Sequence, residues 1–136
     1  KNEMESWYEL VKTKKRKRVV TLHNKLKLDN LIKNKQTFLI SWDKSKIDMP
    51  IYDIVNFYNR YALNFDFKGL LSEYERIFPL LEDEKKLLGV LISIPEKITN
   101  TKSEYEMVKS VRHLLDKIYK TEILLTPEEE EKTKST

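Results

Sequence analysis

The residues whose types and spacing suit chemistry lie between positions 23 and 54. His23-Asn24-Lys25-Leu26-Lys27-Leu28-Asp29-Asn30 opens on a histidine and closes on an asparagine seven residues later. Phe38-Leu39-Ile40-Ser41-Trp42-Asp43 follows, and then Met49-Pro50-Ile51-Tyr52-Asp53-Ile54. A loop of the form H-x-D-x-x-x-x-N carries out phosphoryl transfer. Its Asp accepts the proton of a substrate hydroxyl, its Asn holds Mg²⁺, and a second Asp after the next hairpin bridges the metal to the phosphates. His23 and Asn30 keep the two ends of that pattern, but Lys25 stands at the position of the base and Ser41 at that of the metal ligand. An ammonium is no base for a hydroxyl unless it is deprotonated, and it repels Mg²⁺. A serine hydroxyl is a poor substitute for a carboxylate toward a hard divalent cation. Asp29 sits beside Asn30, and Asp43 lies two residues beyond Ser41. A two-residue shift along a strand keeps the same face, so such a shift would bring Asp43 to the metal position.

These residues need elements to hold them. Val19 to Leu22 reads as a short strand entering the loop. Leu31-Ile32 and Thr37 to Ser41 read as two strands joined by a polar turn that contains Asn34. Trp42 to Met49 reads as a charged loop, and Pro50 suits the first turn of a helix. Helical spacing then takes over, on Ile51, Ile54, Val55, Tyr58 and Tyr61, and again from Phe67 to Phe78, where Pro79 ends it. Glu82 to Ile94 is apolar on most sides after Lys86, the pattern of a central, largely buried helix that ends at Pro95. Ser103 to about Leu124 reads as a long amphipathic helix on Tyr105, Val108, Val111, Leu115 and Ile118, with Ser103 and Glu106 matching a capping box. Asn2 to Lys15 reads as a helix on Met4, Trp7, Tyr8 and Val11. One α+β, mostly helical domain is expected over residues 1–125, with an acidic disordered tail over 126–136.

Composition removes many alternatives. The 136 residues include no cysteine, which excludes disulfides, thiol catalysis and cysteine-ligated zinc. Two glycines cannot build a phosphate-cradling loop, and two histidines cannot supply a three-histidine metal site. The longest apolar run, Leu87 to Ile94, is far short of a membrane span, and the charged N-terminus has no signal-peptide core. The chain starts at Lys1 rather than Met, so a processed or excised piece of something longer is expected. A lone alanine against abundant Lys, Asn and Ile suggests an AT-rich bacterial genome. Charge is uneven, with a net of +7 over residues 1–35 and −3 over the rest.

In order, the three motif segments resemble the C-terminal lobe of the aminoglycoside phosphotransferase/choline kinase-like superfamily, whose patterns are H-G-D-x-x-x-x-N, I-D-[WF]-[DE] and P-x-x-D-[IL]. The bacterial spore coat protein S-type kinase-like group is the nearest in look. It shares a later pattern, here Pro79-Leu80 through Leu87-Leu88 to Pro95-Glu96-Lys97. The resemblance covers roughly residues 23–97. It implies a kinase-like C-lobe with a small β-hairpin and four to five helices. It also implies that Asp53, the helix-opening acid, orients the loop by accepting backbone N–H bonds. With Lys25 and Ser41 in place of the acids, the loop is expected to be degenerate. His23 then bonds backbone carbonyls, and Asn30 is left to hydrogen bonding within the loop.

Six cations within Lys12 to Arg18 (Lys12, Lys14, Lys15, Arg16, Lys17 and Arg18) form a candidate polyanion patch acting through counterion release, or else a solvated helix end. The expected function is a pseudokinase-type binding or scaffolding module, cytoplasmic in a low-GC Gram-positive bacterium or a relative. It would need no cofactor and would have a protein partner or self-association. The alternative is a small-molecule phosphotransferase using ATP and Mg²⁺ through Asn30 and Asp43, with its N-lobe missing from this chain. Polyanion binding is a third.

Overall fold

Apolar side chains at helical spacing account for most of the architecture. A computed structural model describes residues 2–13, 18–98 and 103–127. Over these residues the protein is α+β and mostly helical. Helix α1 spans Asn2–Thr13, α2 Ile51–Tyr61, α3 Phe67–Ile77, α4 Glu82–Ser93 and α5 Glu104–Leu125. Between α1 and α2 lie four three-residue strands, β1 (Val20–Leu22), β2 (Leu31–Lys33), β3 (Thr37–Leu39) and β4 (Lys46–Asp48). Single 3-10 turns occupy Leu28–Asn30 and Trp42–Lys44. The chain divides between Ile94 and Pro95 into two compact units.

In the first unit, α2 turns Ile51, Ile54, Val55 and Tyr58 inward, and α4 supplies Leu87, Leu88 and Ile92. Each such side chain is worth about 1.5–3 kcal/mol on burial. Tyr58 meets Phe67 of α3 edge-on at 4.6 Å. Pro50 opens α2, as its fixed φ favours. Asp66 caps α3 by accepting from the Gly69 N–H at 3.2 Å. A Cβ at position 69 would lie 2.6 Å from the cap's carboxylate, so glycine lets the cap close.

The strand set differs from the single hairpin expected. β2 and β3 do form a hairpin, in the register Leu31↔Leu39, Ile32↔Phe38 and Lys33↔Thr37. The segment read as a charged loop contributes β4, which pairs antiparallel with β1 through Val20↔Asp48, Thr21↔Ile47 and Leu22↔Lys46. Lys46-Ile47-Asp48 offers one apolar residue and no period to read, so only its distant partner makes it a strand.

In the second unit, both halves of the expected capping box form. Glu106 N–H donates to Ser103 Oγ, and Ser103 N–H donates to Glu106. The buried face of α5 is another departure. Met107, Ser110, Leu114, Lys117, Thr121 and Leu124 are the shielded side chains, whereas the stripe from Tyr105 to Ile118 is exposed. Apolar residues cover so much of this helix that periodicity alone cannot choose between faces. The buried Lys117 ammonium donates to Glu96 at 2.7 Å, which makes its burial tolerable.

Arg18 also departs from the expected patch. Its guanidinium forks onto the buried Glu84 carboxylate, with Nε 3.0 Å from Oε1 and Nη2 bonded to Oε2. It also donates to the Pro79 carbonyl and stacks over Phe78 at 4.3 Å. Glu84 in turn accepts the Leu81 N–H at the start of α4. A cation held this way is not available to a polyanion. Lys14, Lys15, Arg16 and Lys17 lie outside the described residues, as do the Lys12 side chain and the acidic run from Glu128 onward. Removing Arg18 leaves a buried carboxylate without its cation, so Arg18→Ala is expected to cost about 3 kcal/mol in chemical denaturation. Arg18→Lys recovers only part, since an ammonium cannot fork onto both oxygens.

Candidate functional site

The loop between β1 and β2 is pinned to α2 at two points. At its start, Asp53 accepts the His23 N–H on Oδ2 at 2.7 Å and the Asn24 N–H on Oδ1 at 2.8 Å. Asp53 lies in the first turn of α2, where the helix N-terminus favours a carboxylate. Eight residues on, about 12 Å along the helix axis, Tyr61 Oη accepts the Leu28 N–H at 2.9 Å. Both anchors project from one helix, so their spacing is set by the helix itself.

Within that frame the two ends of the motif serve the backbone. His23 is almost fully buried, and its Nε2–H donates to the Ile40 carbonyl at 2.8 Å. Its Nδ1 is buried without a hydrogen-bond partner among the described residues. Trp42 packs on the imidazole edge-on at 4.6 Å and is itself fixed by donating to Leu39 O at 2.7 Å. Asn30 is buried, and its Nδ2 donates to Lys25 O at 2.8 Å. The Asn30 carbonyl accepts from Ile40 N, so histidine and asparagine both bond the residue that follows β3.

Two backbone positions carry strain. Asn24 and Ser41 both lie in the left-handed region, at φ 59° and 65°. Asparagine tolerates this conformation better than most residues. Serine is a poorer choice, and Ser41 is where the chain turns from the hairpin into the Trp42–Lys44 turn.

The charged residues of the site are arranged as follows. Lys25 Nζ lies 3.7 Å from Asp43 Oδ1, and both side chains are partly exposed. Asp43 sits in a 3-10 turn rather than on a strand, so the strand shift weighed for it does not apply. Asp29 is exposed in the turn that leads into β2. Among the described residues no group of three or more His, Asp or Glu side chains is placed to hold a metal ion. Behind the loop, β1, α2 and α3 border a partly open apolar pocket of about 300 Å³ lined by Leu22, Leu26, Ile54, Phe57, Leu70 and Tyr74, with Asp53 at its wall. Burial raises the Tyr74 hydroxyl pKa above its ordinary value. Arg18 opposes that rise, and Glu84 and Asp53 add to it.

His23, Lys25, Asn30, Ser41, Asp43 and Asp53 are therefore brought to one loop and its supports, and Arg18 is drawn away to Glu84. Tyr61 and Trp42 were missed as positioning residues. Tyr61 reads simply as one more packing aromatic on α2, and nothing in its spacing signals the bond to Leu28. Comparison of the chain with protein-family models, with curated proteins and with solved structures finds no match.

Two charge-assisted hydrogen bonds of about 1.5–3 kcal/mol each converge on Asp53, so Asp53→Ala is expected to destabilise by several kcal/mol in chemical denaturation. Asp53→Asn, which keeps one acceptor, falls between that variant and the wild type. At Ser41 the strain is relieved by glycine and worsened by a β-branched residue. Ser41→Gly is expected to raise stability by up to about 1 kcal/mol, and Ser41→Val to lower it by at least that much.

Proposed function

We propose that the chain is a degenerate kinase-like C-lobe, of the aminoglycoside phosphotransferase/choline kinase-like kind, that works as a binding or scaffolding module rather than as a phosphotransferase. The reading is carried by the Lys25–Asp43 pair. In a working loop the acid at position 25 would take a hydroxyl proton, and a carboxylate after the hairpin would hold the metal. Here an ammonium at the first position lies beside the carboxylate nearest the second. A cation in that place repels Mg²⁺ and pairs with the acid that a shifted metal site would need. This speaks against the alternative phosphotransferase that relies on Asp43; the Asn30 Nδ2 bond to the Lys25 carbonyl involves only its donor side.

The order of elements supports the kinase-like part of the reading: strand, His-to-Asn loop, hairpin, turn, then a helix whose first-turn acid grips the loop. A loop held in shape by α2 and backbone contacts, with no acid at position 25 or 41, suits a binding module built on such a lobe.

The test is a thermal shift with ATP, with and without Mg²⁺, on the wild type and on a Lys25→Asp/Ser41→Asp variant. A ligand at a hundred times its dissociation constant stabilises by about 2.7 kcal/mol. The wild type is expected to show no Mg²⁺-dependent shift, and the double variant to gain a divalent-cation-dependent one. A Mg²⁺-dependent shift in the wild type would contradict the proposal and restore the phosphotransferase.

A further inference from the structure

The exposed side of α5 has a pattern of its own. Tyr105, Val108, Leu115 and Tyr119 are 77%, 64%, 59% and 65% exposed. With Arg112 and Glu122 they occupy positions 105, 108, 112, 115, 119 and 122, stepping alternately by three and four residues. That is the seam of a heptad, the spacing by which one helix packs along another. From 105 to 122 the seam covers about 26 Å of helix axis, and an exposed stripe of large apolar side chains of that extent marks an interaction site. Arg112 and Glu122 interrupt the seam. Both are exposed, and neither has an ion-pair partner among the described residues.

We infer that this seam pairs antiparallel with the same seam of a second copy of the chain. Arg112 lies three residues before Leu115, and Glu122 three residues after Tyr119. The antiparallel register that sets Leu115 against the partner's Tyr119 therefore also sets Arg112 against the partner's Glu122. Twofold symmetry repeats both contacts, giving two apolar pairs at the centre and an ion pair on either side of them. In a parallel pairing, Arg112 would face Arg112 and Glu122 would face Glu122, and both contacts repel. An antiparallel shift by half a heptad would bury Arg112 against the partner's Leu115 with no counter-charge. From Arg112 to Glu122 the seam is thus complementary to itself in this antiparallel register, with Tyr105 and Val108 lying outside the paired stretch, and that charge complementarity is why a second copy is the occupant. The pairing rests on the scaffolding reading for its use and not for its geometry, so its failure would leave the nucleotide result untouched.

The test is sedimentation velocity of the full chain over a wide concentration range, with circular dichroism to confirm that helix content is unchanged in each variant. A reversible dimer is expected. Arg112→Glu, which places like charges in both outer contacts, is expected to weaken association by roughly tenfold or more. The double variant Arg112→Glu/Glu122→Arg is expected to restore it. A wild type that stays monomeric at every concentration would overturn the proposal. So would a dimer indifferent to Arg112→Glu, or a double variant as weak as the single one. The chain has no cysteine, so the register can be read separately by mixing Arg112→Cys with Glu122→Cys under oxidising conditions. Cross-links between the two variants support the register, and cross-links of Arg112→Cys to itself overturn it.

Discussion

One carboxylate organises the first unit. Asp53 binds two consecutive backbone N–H groups, those of His23 and Asn24, and so fixes where β1 stops and the loop begins. The remaining loop contacts follow from that anchor. With the His23 backbone held, its side chain points into the interior and reaches the Ile40 carbonyl. With Asn24 held, the backbone accepts a left-handed conformation that it would otherwise avoid. Asn30 then closes the loop on the Lys25 carbonyl, and Tyr61 steadies the turn between them. Every partner in this network is a neutral group, a backbone amide or the Asp53 carboxylate itself.

That inventory explains how the loop keeps its shape with no acid at position 25 or 41. A site that needs a metal to order it would fall apart when its ligands were replaced. Here ordering comes from α2 and from backbone carbonyls, and the charged pair in front contributes little. Lys25 and Asp43 are 37% and 57% exposed and 3.7 Å apart, so solvent screening leaves the pair worth about 1 kcal/mol at most. The strong ionic tie of the unit is elsewhere, between Arg18 and the buried Glu84, where it joins the entry to β1 to the start of α4.

The helices were legible because their apolar residues recur every three or four positions and because Pro50, Pro79, Pro95 and Ser103 punctuate them. The role of Asp53 as an acceptor was legible too, from its place in the first turn after Pro50 in a segment resembling a known pattern. What escaped was non-local or degenerate. β4 exists only through its pairing with β1, whose residues lie 24 to 28 positions earlier, in no periodic pattern. Arg18 looked like one more member of a basic run, since nothing local tells which cation a buried glutamate sixty-six residues later will take. On α5 the periodicity was real but described the exposed face, because two apolar stripes overlap on one helix and a paired lysine lies on the shielded one.

The central claim is that α2, through Asp53, holds the loop without help from a metal. Native-state hydrogen exchange of the His23 and Asn24 amides tests it most directly, measured with Mg²⁺ and then with chelator. Both amides are expected to exchange as slowly as the interior of α2, and equally slowly under the two conditions. Fast exchange at His23 and Asn24 while α2 stays protected, or protection that appears only when Mg²⁺ is present, would contradict the account.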